Sequence, residues 1–472
     1  MTVSHALLRA WPYLFATAVS ILLFFPTWAR LFDAWLRWEQ TLAHGLPTFL
    51  AFLALLIVHP PLPPQSAGPH TRMSGRIPGG ILLLITVLLW ATLELVRIDT
   101  LAYLLLPASL FVVCWTAFGL REALTGIPYI ALLGLSLPLW GDLIPALVAL
   151  ATFVVSHAVS TLGITALIEG NHITLPYGRL VIADGCSGMG YLAISLLLGA
   201  ITAVLNDFRW RGWLWILLGS AALALIINWV RIIALVVIAY MTDMNNGLVR
   251  EHELFGWVVF VAFIGPAMFL VPVHRRKTLQ VFNKPVISLG GSAFIVASLL
   301  LGHAGLSLVH AREVPMGEVR IAPGSLKAAS YRDLPVPLAL PTFLNHQVWR
   351  VTGSNAVVSV AQFQRDSKTT KIVPYLPPLI DRNSWFLESS LDTQDLEIWR
   401  ELSGQKRVIL SRTYRVGPFV TDHYRLAKLL QIPAIYLGKT RFALVTVQAP
   451  CHTPDCGDAV STVLVAWKRL DL

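Results

Sequence analysis

Charge is scarce in this 472-residue chain. Asp, Glu, Lys and Arg make up 13% of it, against roughly a quarter in an ordinary soluble protein. With 56% hydrophobic residues and a mean hydropathy of +0.66, that shortage excludes a purely soluble chain and indicates the membrane class. Cysteine is scarcer still. Cys114, Cys186, Cys451 and Cys456 are too few for a disulfide framework over this length. A cleavable leader is not expected either. Leu7–Phe25 is apolar, but no small-x-small cleavage site follows, so it reads as a first span. The formal charge of +10 does not point to nucleic acid. The basic residues form short clusters between apolar runs, such as His274-Arg-Arg-Lys277, the pattern of cytoplasmic loops. No metal or organic cofactor is implied.

What is there in quantity is apolar sequence. Runs near bilayer length occur at Trp11–Trp28, Leu42–Val58, Ile81–Val96, Leu101–Leu120, Leu124–Leu139, Leu143–Leu162, Tyr191–Leu205, Gly212–Tyr240, Leu254–Val273 and Val286–Val309. After them the character changes. Residues 311–472 are charged and rich in Pro and turns, with no spanning run, and read as a soluble domain following a membrane domain over 1–310. Lys and Arg in short loops mark cytoplasmic sides, here the linker with Arg72 and Arg76, the loop with Arg209 and Arg211, and His274–Lys277. If every run spans, the first two of these fall on opposite sides. Reading Leu143–Leu162 as an interfacial or re-entrant helix removes the conflict. That run follows Pro138, contains Pro145 and carries Ser156, His157, Ser160 and Thr161. The competing repair puts the N-terminus outside and strands Arg72 and Arg76 there. The expected fold is therefore a polytopic α-helical membrane protein, about nine spans plus one interfacial or re-entrant helix, with a C-terminal soluble α/β domain on the outer side.

Three polar residues then fall at one depth. Cys186 lies 19 residues from Leu205, Arg231 lies 19 from Gly212, and His252 lies 20 from Pro272. At 1.5 Å per residue each is about 28–30 Å from the cytoplasmic ends, about the hydrocarbon thickness. An Arg inside an apolar helix is expensive and points to function. Each residue has a plain alternative. Cys186 is then a small apolar filler, the reading given to Cys114. Arg231 snorkels to head groups, and His252, in Arg250-Glu-His-Glu253, is a solvated loop residue. Their shared depth, with Gly185, Gly188 and Gly190 around Cys186, favours a site.

The chemistry of these residue types is acyl transfer. A cysteine attacks as the thiolate, a form favoured at a helix amino end and beside cations, and Cys186 is expected to have both. Glycines let a substrate backbone approach and free N–H groups for an oxyanion. His252 suits general acid–base work, Arg231 suits the oxyanion or the scissile peptide, and Asn228, one turn earlier, suits holding the guanidinium. Asp184 is a candidate for orienting His252 or Arg231. Ser187 is a second hydroxyl or thiol nucleophile in the motif, with no base arranged for it. Glu169, Asn171 and His172, in the outer loop before Cys186, are candidates for meeting substrate, with a solvated loop as the alternative.

Asp184-Gly-Cys-Ser-Gly188, then Asn228-Trp-Val-Arg-Ile232, then His252 with Phe255-Gly256, resembles the exosortase/archaeosortase family of polytopic transpeptidase-like proteins. The resemblance covers about residues 125–273. It implies Cys186, Arg231 and His252 as the catalytic set. It also implies, as substrates, exported proteins whose C-terminal sorting signal is a short motif (PEP-like in many bacteria), a membrane helix and a basic tail. Cleavage near the motif and transfer to a cell-surface acceptor, a membrane lipid or surface polymer, would follow, with a link to exopolysaccharide production and residence in the bacterial inner membrane. A rival from another class is a polytopic transporter or polysaccharide-export component, with Arg231 and His252 lining a path. Paired inverted repeats with broken helices, which would favour it, are not evident. A third is a non-catalytic assembly partner whose soluble domain binds surface polymer.

In the soluble domain, Gln347–Phe363, Arg407–Val416 and Arg441–Val447 alternate like strands, His423–Gln431 reads as helix, and Asp458–Trp467 is ambiguous. Cys451-His-Thr-Pro-Asp-Cys456 is a poor zinc site without distant ligands. An outer compartment favours a disulfide there over free thiols or metal.

Overall fold

A computed structural model describes residues 3–37, 44–62, 75–169, 171–250, 252–270, 289–310, 326–341, 345–364, 371–376, 378–381, 384–391, 396–402, 404–452 and 456–468, with isolated positions between them. They divide into two compact units, Met1–Trp90 with Asp99–Leu301, and Ala91–Ile98 with Gly302–Leu472.

The helical part runs α1 Val3–Leu23, α2 Phe25–Leu36, α3 Gly45–Val58, α4 Ile77–Val96, α5 Asp99–Phe118, α6 Leu120–Thr125, α7 Ile127–Gly134 and α8 Ile144–Thr161. A small sheet follows, β1 Leu167–Glu169, β2 His172–Leu175 and β3 Gly178–Val181. Then come α9 Met189–Leu205, α10 Trp210–Met241, α11 Gly247–Arg250, α12 His252–Leu270 and α13 Leu289–His310. Among the described residues, five helices are long and apolar enough to cross a membrane: α4, α5, α8, α10 and α13. The bent pair α1–α2 makes a sixth if it is one span.

The nine expected spans are therefore distributed differently. Trp11–Trp28 is not one straight helix, because the chain bends by 101° between α1 and α2. Phe24 leaves helical geometry, and Pro26 occupies the first turn of α2, where its missing N–H is tolerated. Arg30, Asp33 and Arg37 lie on or beside α2, whose buried face is Thr27, Trp28, Leu31 and Trp35. Leu124–Leu139 breaks at Gly126 into the eight-residue α7, which opens on Pro128. The 14-residue α3 rises about 21 Å, short of the hydrocarbon core.

Leu143–Leu162, expected as interfacial or re-entrant, forms the 18-residue α8, which qualifies as a span by length and composition. Three of the four polar side chains that argued against it bond within the helix: Ser156 Oγ to Phe153 O (2.9 Å), His157 Nδ1 to Phe153 O (2.8 Å) and Thr161 Oγ1 to His157 O (2.8 Å). Pro145 lies in its first turn, where proline is not disruptive.

A buried polar network joins α1 to α6. Arg9 pairs with Glu122 and donates to the carbonyls of Pro61 and Leu62, both at 2.7 Å. The Tyr13 hydroxyl donates to Glu122 Oε1 at 2.8 Å. Every member has partners, so the pair is tolerable although buried, and removing one half would strand the other.

The second unit is built on one antiparallel sheet in the order β4-β5-β6-β11-β9-β8-β7, with β10 pairing β9. The strands are β4 Leu326–Ala329, β5 Asn345–Val351, β6 Val357–Gln364, β7 Trp385–Leu391, β8 Leu396–Glu401, β9 Arg407–Val416, β10 Phe419–Thr421 and β11 Arg441–Pro450; the helices are α14 Tyr424–Tyr436 and α15 Gly457–Lys468. Gln347–Phe363 is thus two strands around a turn at Gly353 (φ +78°), and the ambiguous Asp458–Trp467 is helix. The helices cover opposite faces. Ala427, Ala434 and Ile435 of α14 pack with Leu410, Tyr414, Phe442 and Leu444, whereas Ala459, Val463 and Ala466 of α15 pack with Ile409, Ala443, Val445 and Val447. Burial on both faces explains why β11 is a nearly continuous apolar run. Leu95 and Val96, at the end of α4, belong to the α14-side core, and Leu306 of α13 packs on it. Cys451 and Cys456 form a disulfide, with Cα atoms 4.9 Å apart, that ties the end of β11 to the start of α15.

Candidate active site

The segment ahead of Cys186, read from sequence as a loop, is a three-stranded antiparallel meander. Its signal was His172-Ile-Thr-Leu175 and Gly178-Arg-Leu-Val181 around the turn residues Pro176 and Tyr177. Ile173 and Leu175 point inward onto Ala151, Val155 and Val159 of α8 and onto Ile232, Val236 and Ala239 of α10. Asn171 closes the meander. Its Nδ2 donates to Ile182 O (3.2 Å), and its carbonyl accepts from Ile182 N (2.9 Å). Asn171 is therefore a framework residue that fixes where the next turn begins. His172 is half-buried on β2, opposite Val181.

That next turn, Asp184–Cys186, is a short 3-10 segment in which Cys186 N donates to Ala183 O (2.8 Å). Cys186 is a free, half-buried thiol packed against the α8–α10 core. Cys114, by contrast, is buried in α5 at 1% exposure. Three residues after Cys186 the chain enters α9, whose amino end carries partial positive charge. Gly188 makes that entry possible. Its φ is +81°, and a β-carbon there would lie 2.7 Å from Asn228 Cγ. Only glycine takes both the left-handed conformation and the close approach without strain. Ser187 is buried, and its hydroxyl accepts from Met189 N (3.4 Å), so it faces the helix start. Gly185 has open space around it.

Asn228 and Arg231 project from α10, three residues apart and so on one face. Asn228 is fully buried, and its Nδ2 donates to the Cys186 carbonyl at 3.0 Å. The amide therefore holds the cysteine turn directly, a different duty from the expected one of steadying the guanidinium. Its Oδ1 has no partner among the described residues. Arg231 is 4% exposed, and its guanidinium lies over the Tyr191 ring, 5.6 Å from the centroid. α12 closes the other side. A β-carbon on Gly256 would lie 2.5 Å from Arg231 Nε and closer still to the Tyr191 hydroxyl, so this glycine lets the helix approach both. Tyr191 stacks on Phe260 (5.0 Å) and meets Trp257 edge-on (5.7 Å).

Tyr191 was missed in the sequence, where an aromatic at a helix start reads as one more apolar residue. Its ring lies under the Arg231 guanidinium and its hydroxyl lies beside Gly256, so it joins α9 to α10 and α12. The signal that could have found it is a tyrosine at the mouth of a membrane helix, where an apolar body and a polar tip are both used. His252 is the first residue of α12 and Asp184 the first of the cysteine turn. Their side chains, and that of Glu169, lie outside the described residues. No group of three or more His, Cys, Asp or Glu is placed to hold a metal among the described residues.

The conformational argument at Gly188 gives a direct test. Gly188→Ala is expected to displace Asn228 from the Cys186 carbonyl and to slow any reaction at the thiol by about 10–100-fold. Gly190→Ala, where nothing lies within 4 Å, is expected to behave as wild type. Both are read as processing rate at equal membrane level.

Residues 35–269, about half the chain, match the family model of the transmembrane exosortases. No curated protein and no solved structure matches the chain. The cysteine turn, the Asn228–Arg231 face and the opening of α12 all fall within the matched residues, and with its long apolar helices the chain is an integral membrane protein of the exosortase family.

Proposed function

We propose that the chain is a membrane cysteine protease and transpeptidase that cleaves the C-terminal sorting signal of exported proteins. The Cys186 thiolate attacks the scissile carbonyl, and Arg231 holds the oxyanion or the peptide that carries it. His252 protonates the leaving amine as the C–N bond breaks, which leaves a thioester on Cys186. His252 then takes the proton of the incoming nucleophile, a surface lipid or polymer group or water, as that nucleophile displaces the thiol. Asp184 orients the histidine or the arginine. The observation that carries this reading is the bond from buried Asn228 to the Cys186 backbone. It ties the turn that carries a free thiol, just ahead of a helix amino end, to the α10 face that one turn later presents the buried Arg231. Family membership supports a sorting role broadly.

On this reading the site and the C-terminal domain, 311–472, belong on the outer side of the bacterial inner membrane. The last turns of α4 and α13 belong to the same compact unit as the C-terminal domain, with Leu95 and Val96 in its core and Leu306 packed against it. Both follow basic sequence, Arg72 and Arg76 for one and His274–Lys277 for the other, which favours cytoplasmic starts. α9 leads into the Arg209/Arg211 loop, so on the same rule it begins outside.

Capture of the acyl-enzyme tests the reading. A surface protein bearing a motif, a membrane helix and a basic tail is expressed with the full chain, and the acid-quenched mixture is run on denaturing gels. A covalent adduct released by neutral hydroxylamine is expected on wild type and not on Cys186→Ala. An adduct that persists on Cys186→Ala would assign the nucleophile elsewhere.

A further inference from the structure

The C-terminal domain carries a cavity of about 550 Å³ at one end of its sheet, within the size range of small-ligand sites. It is formed by β4 and β5, the turn that joins β5 to β6, the end of β11 and the first turns of α15. None of its lining residues is Phe, Tyr or Trp, and its aliphatic lining is confined to Val351, Ala449 and Pro450. That composition does not suit a lipid tail or a flat apolar ligand. The remaining lining includes Lys327, Arg350, Asn355, His452, Asp458 and Thr462, a mixture of cations, hydroxyl, amide and one carboxylate.

Two features make this more than a polar surface. First, Lys327 and Arg350 are directly opposed across the β4–β5 ladder. Like charges in that position destabilise a sheet, and an anion between them would reverse the sign. Arg350 reaches Asp333 at 3.5 Å, with both side chains substantially exposed. The other oxygen of Asp333 already accepts the Ser330 N–H at 2.7 Å. Lys327 has no ion pair among the described residues. Second, the opposite wall is held in place. The Cys451–Cys456 disulfide fixes the β11–α15 connection, Asp458 accepts the His452 N–H (3.2 Å), and Asn355 Nδ2 lies 3.4 Å from His452 Nε2. This wall offers a carboxylate acceptor and amide donors to hydroxyl groups, while the strand wall offers two cations to an acid.

We infer that this cavity binds an acidic saccharide, its carboxylate between Lys327 and Arg350 and its ring hydroxyls against Asn355, Asp458 and Thr462. The domain then has a recognition function separate from the chemistry at Cys186.

The test uses the full chain in detergent micelles with a defined uronic-acid oligosaccharide, a neutral glucose oligosaccharide of the same length, and inorganic phosphate, followed by titration calorimetry. The uronic-acid oligomer is expected to bind saturably, with the neutral oligomer weaker by about tenfold or more. Lys327→Gln and Arg350→Gln are each expected to weaken binding by about tenfold. Thr462→Val, which keeps both cations, is expected to weaken the saccharide while leaving phosphate unchanged. Cys186→Ala is expected to bind as wild type, so failure of this inference and failure of the peptidase reading are separately visible. The inference is overturned if the uronic-acid oligomer does not bind wild type, or if Lys327→Gln and Arg350→Gln bind it unchanged. It is equally overturned if phosphate at matched ionic strength binds as tightly as the oligomer, since the cavity would then read a bare anion and not a sugar.

Discussion

Cys186→Ala is expected to leave a surface-protein precursor uncleaved, with processing reduced by more than about a thousandfold, while Cys114→Ala processes normally. The two cysteines make a matched pair because both are free and both lie in the helical unit. They differ in setting. Cys114 is enclosed in α5 at 1% exposure, where alanine removes one sulfur from packing at about 1 kcal/mol or less. Cys186 sits half-buried in a turn whose carbonyl is fixed by Asn228, with a helix amino end following and Tyr191 and Arg231 on the next layer. Truncating it removes no hydrogen bond that holds the turn, since the Asn228 bond goes to the backbone. Alanine at 186 should therefore keep the fold and lose the reaction. The measurement is the precursor-to-product ratio at equal membrane level. Normal processing by Cys186→Ala would remove the nucleophile assignment and favour the transport or assembly readings.

The membrane class was legible from composition because burying hydrocarbon is non-directional: any order of apolar residues gives the same signal. Span boundaries were less legible. A hydropathy run is blind to a bend, so Trp11–Trp28 looked continuous although Phe24 and Pro26 turn the chain by 101°. It also counts Ser156, His157 and Thr161 as polar, although each bonds a carbonyl of its own helix. In the soluble domain Arg407–Val416 was read to the residue because turn chemistry brackets it. The turn inside Gln347–Phe363 was missed although Gly353, Ser354 and Asn355 mark it, because apolar residues recur on both sides of it. At the site, rise-per-residue arithmetic grouped Cys186, Arg231 and His252 by depth; the described side chains show Asn228, on the same helix as Arg231, bonded to the Cys186 turn, and that of His252 lies outside them. Gly188 and Gly256 were legible as glycines, but what each makes room for is a tertiary fact. Tyr191 and the small sheet each left a local signal that went unread, because their roles lie in what they touch.

Arg231→Ala is expected to slow processing by about 10²–10³-fold, the usual scale for losing one charged donor to a developing oxyanion. The argument starts from cost. Arg231 is 4% exposed on a helix of 32 residues, and a charge so placed is retained only where something uses it. The surrounding structure is shaped to it. Tyr191 lies beneath the guanidinium at 5.6 Å, Phe260 and Trp257 hold that ring, and Gly256 leaves the space that the guanidinium and the hydroxyl occupy. Replacing Gly256 should therefore act through Arg231, and Tyr191→Phe, which keeps the ring face, should cost less than Tyr191→Ala. Arg231→Lys separates two duties. If the cation only favours the thiolate, lysine should restore most of the rate, because a point charge suffices. If it holds the substrate carbonyl, lysine should remain close to alanine, because the ammonium lacks the planar fork and stacks less well on the tyrosine. The bidentate role is the one expected, given the flat seat on Tyr191. Wild-type processing by Arg231→Ala would reduce Arg231 to a packing residue and take the oxyanion role with it.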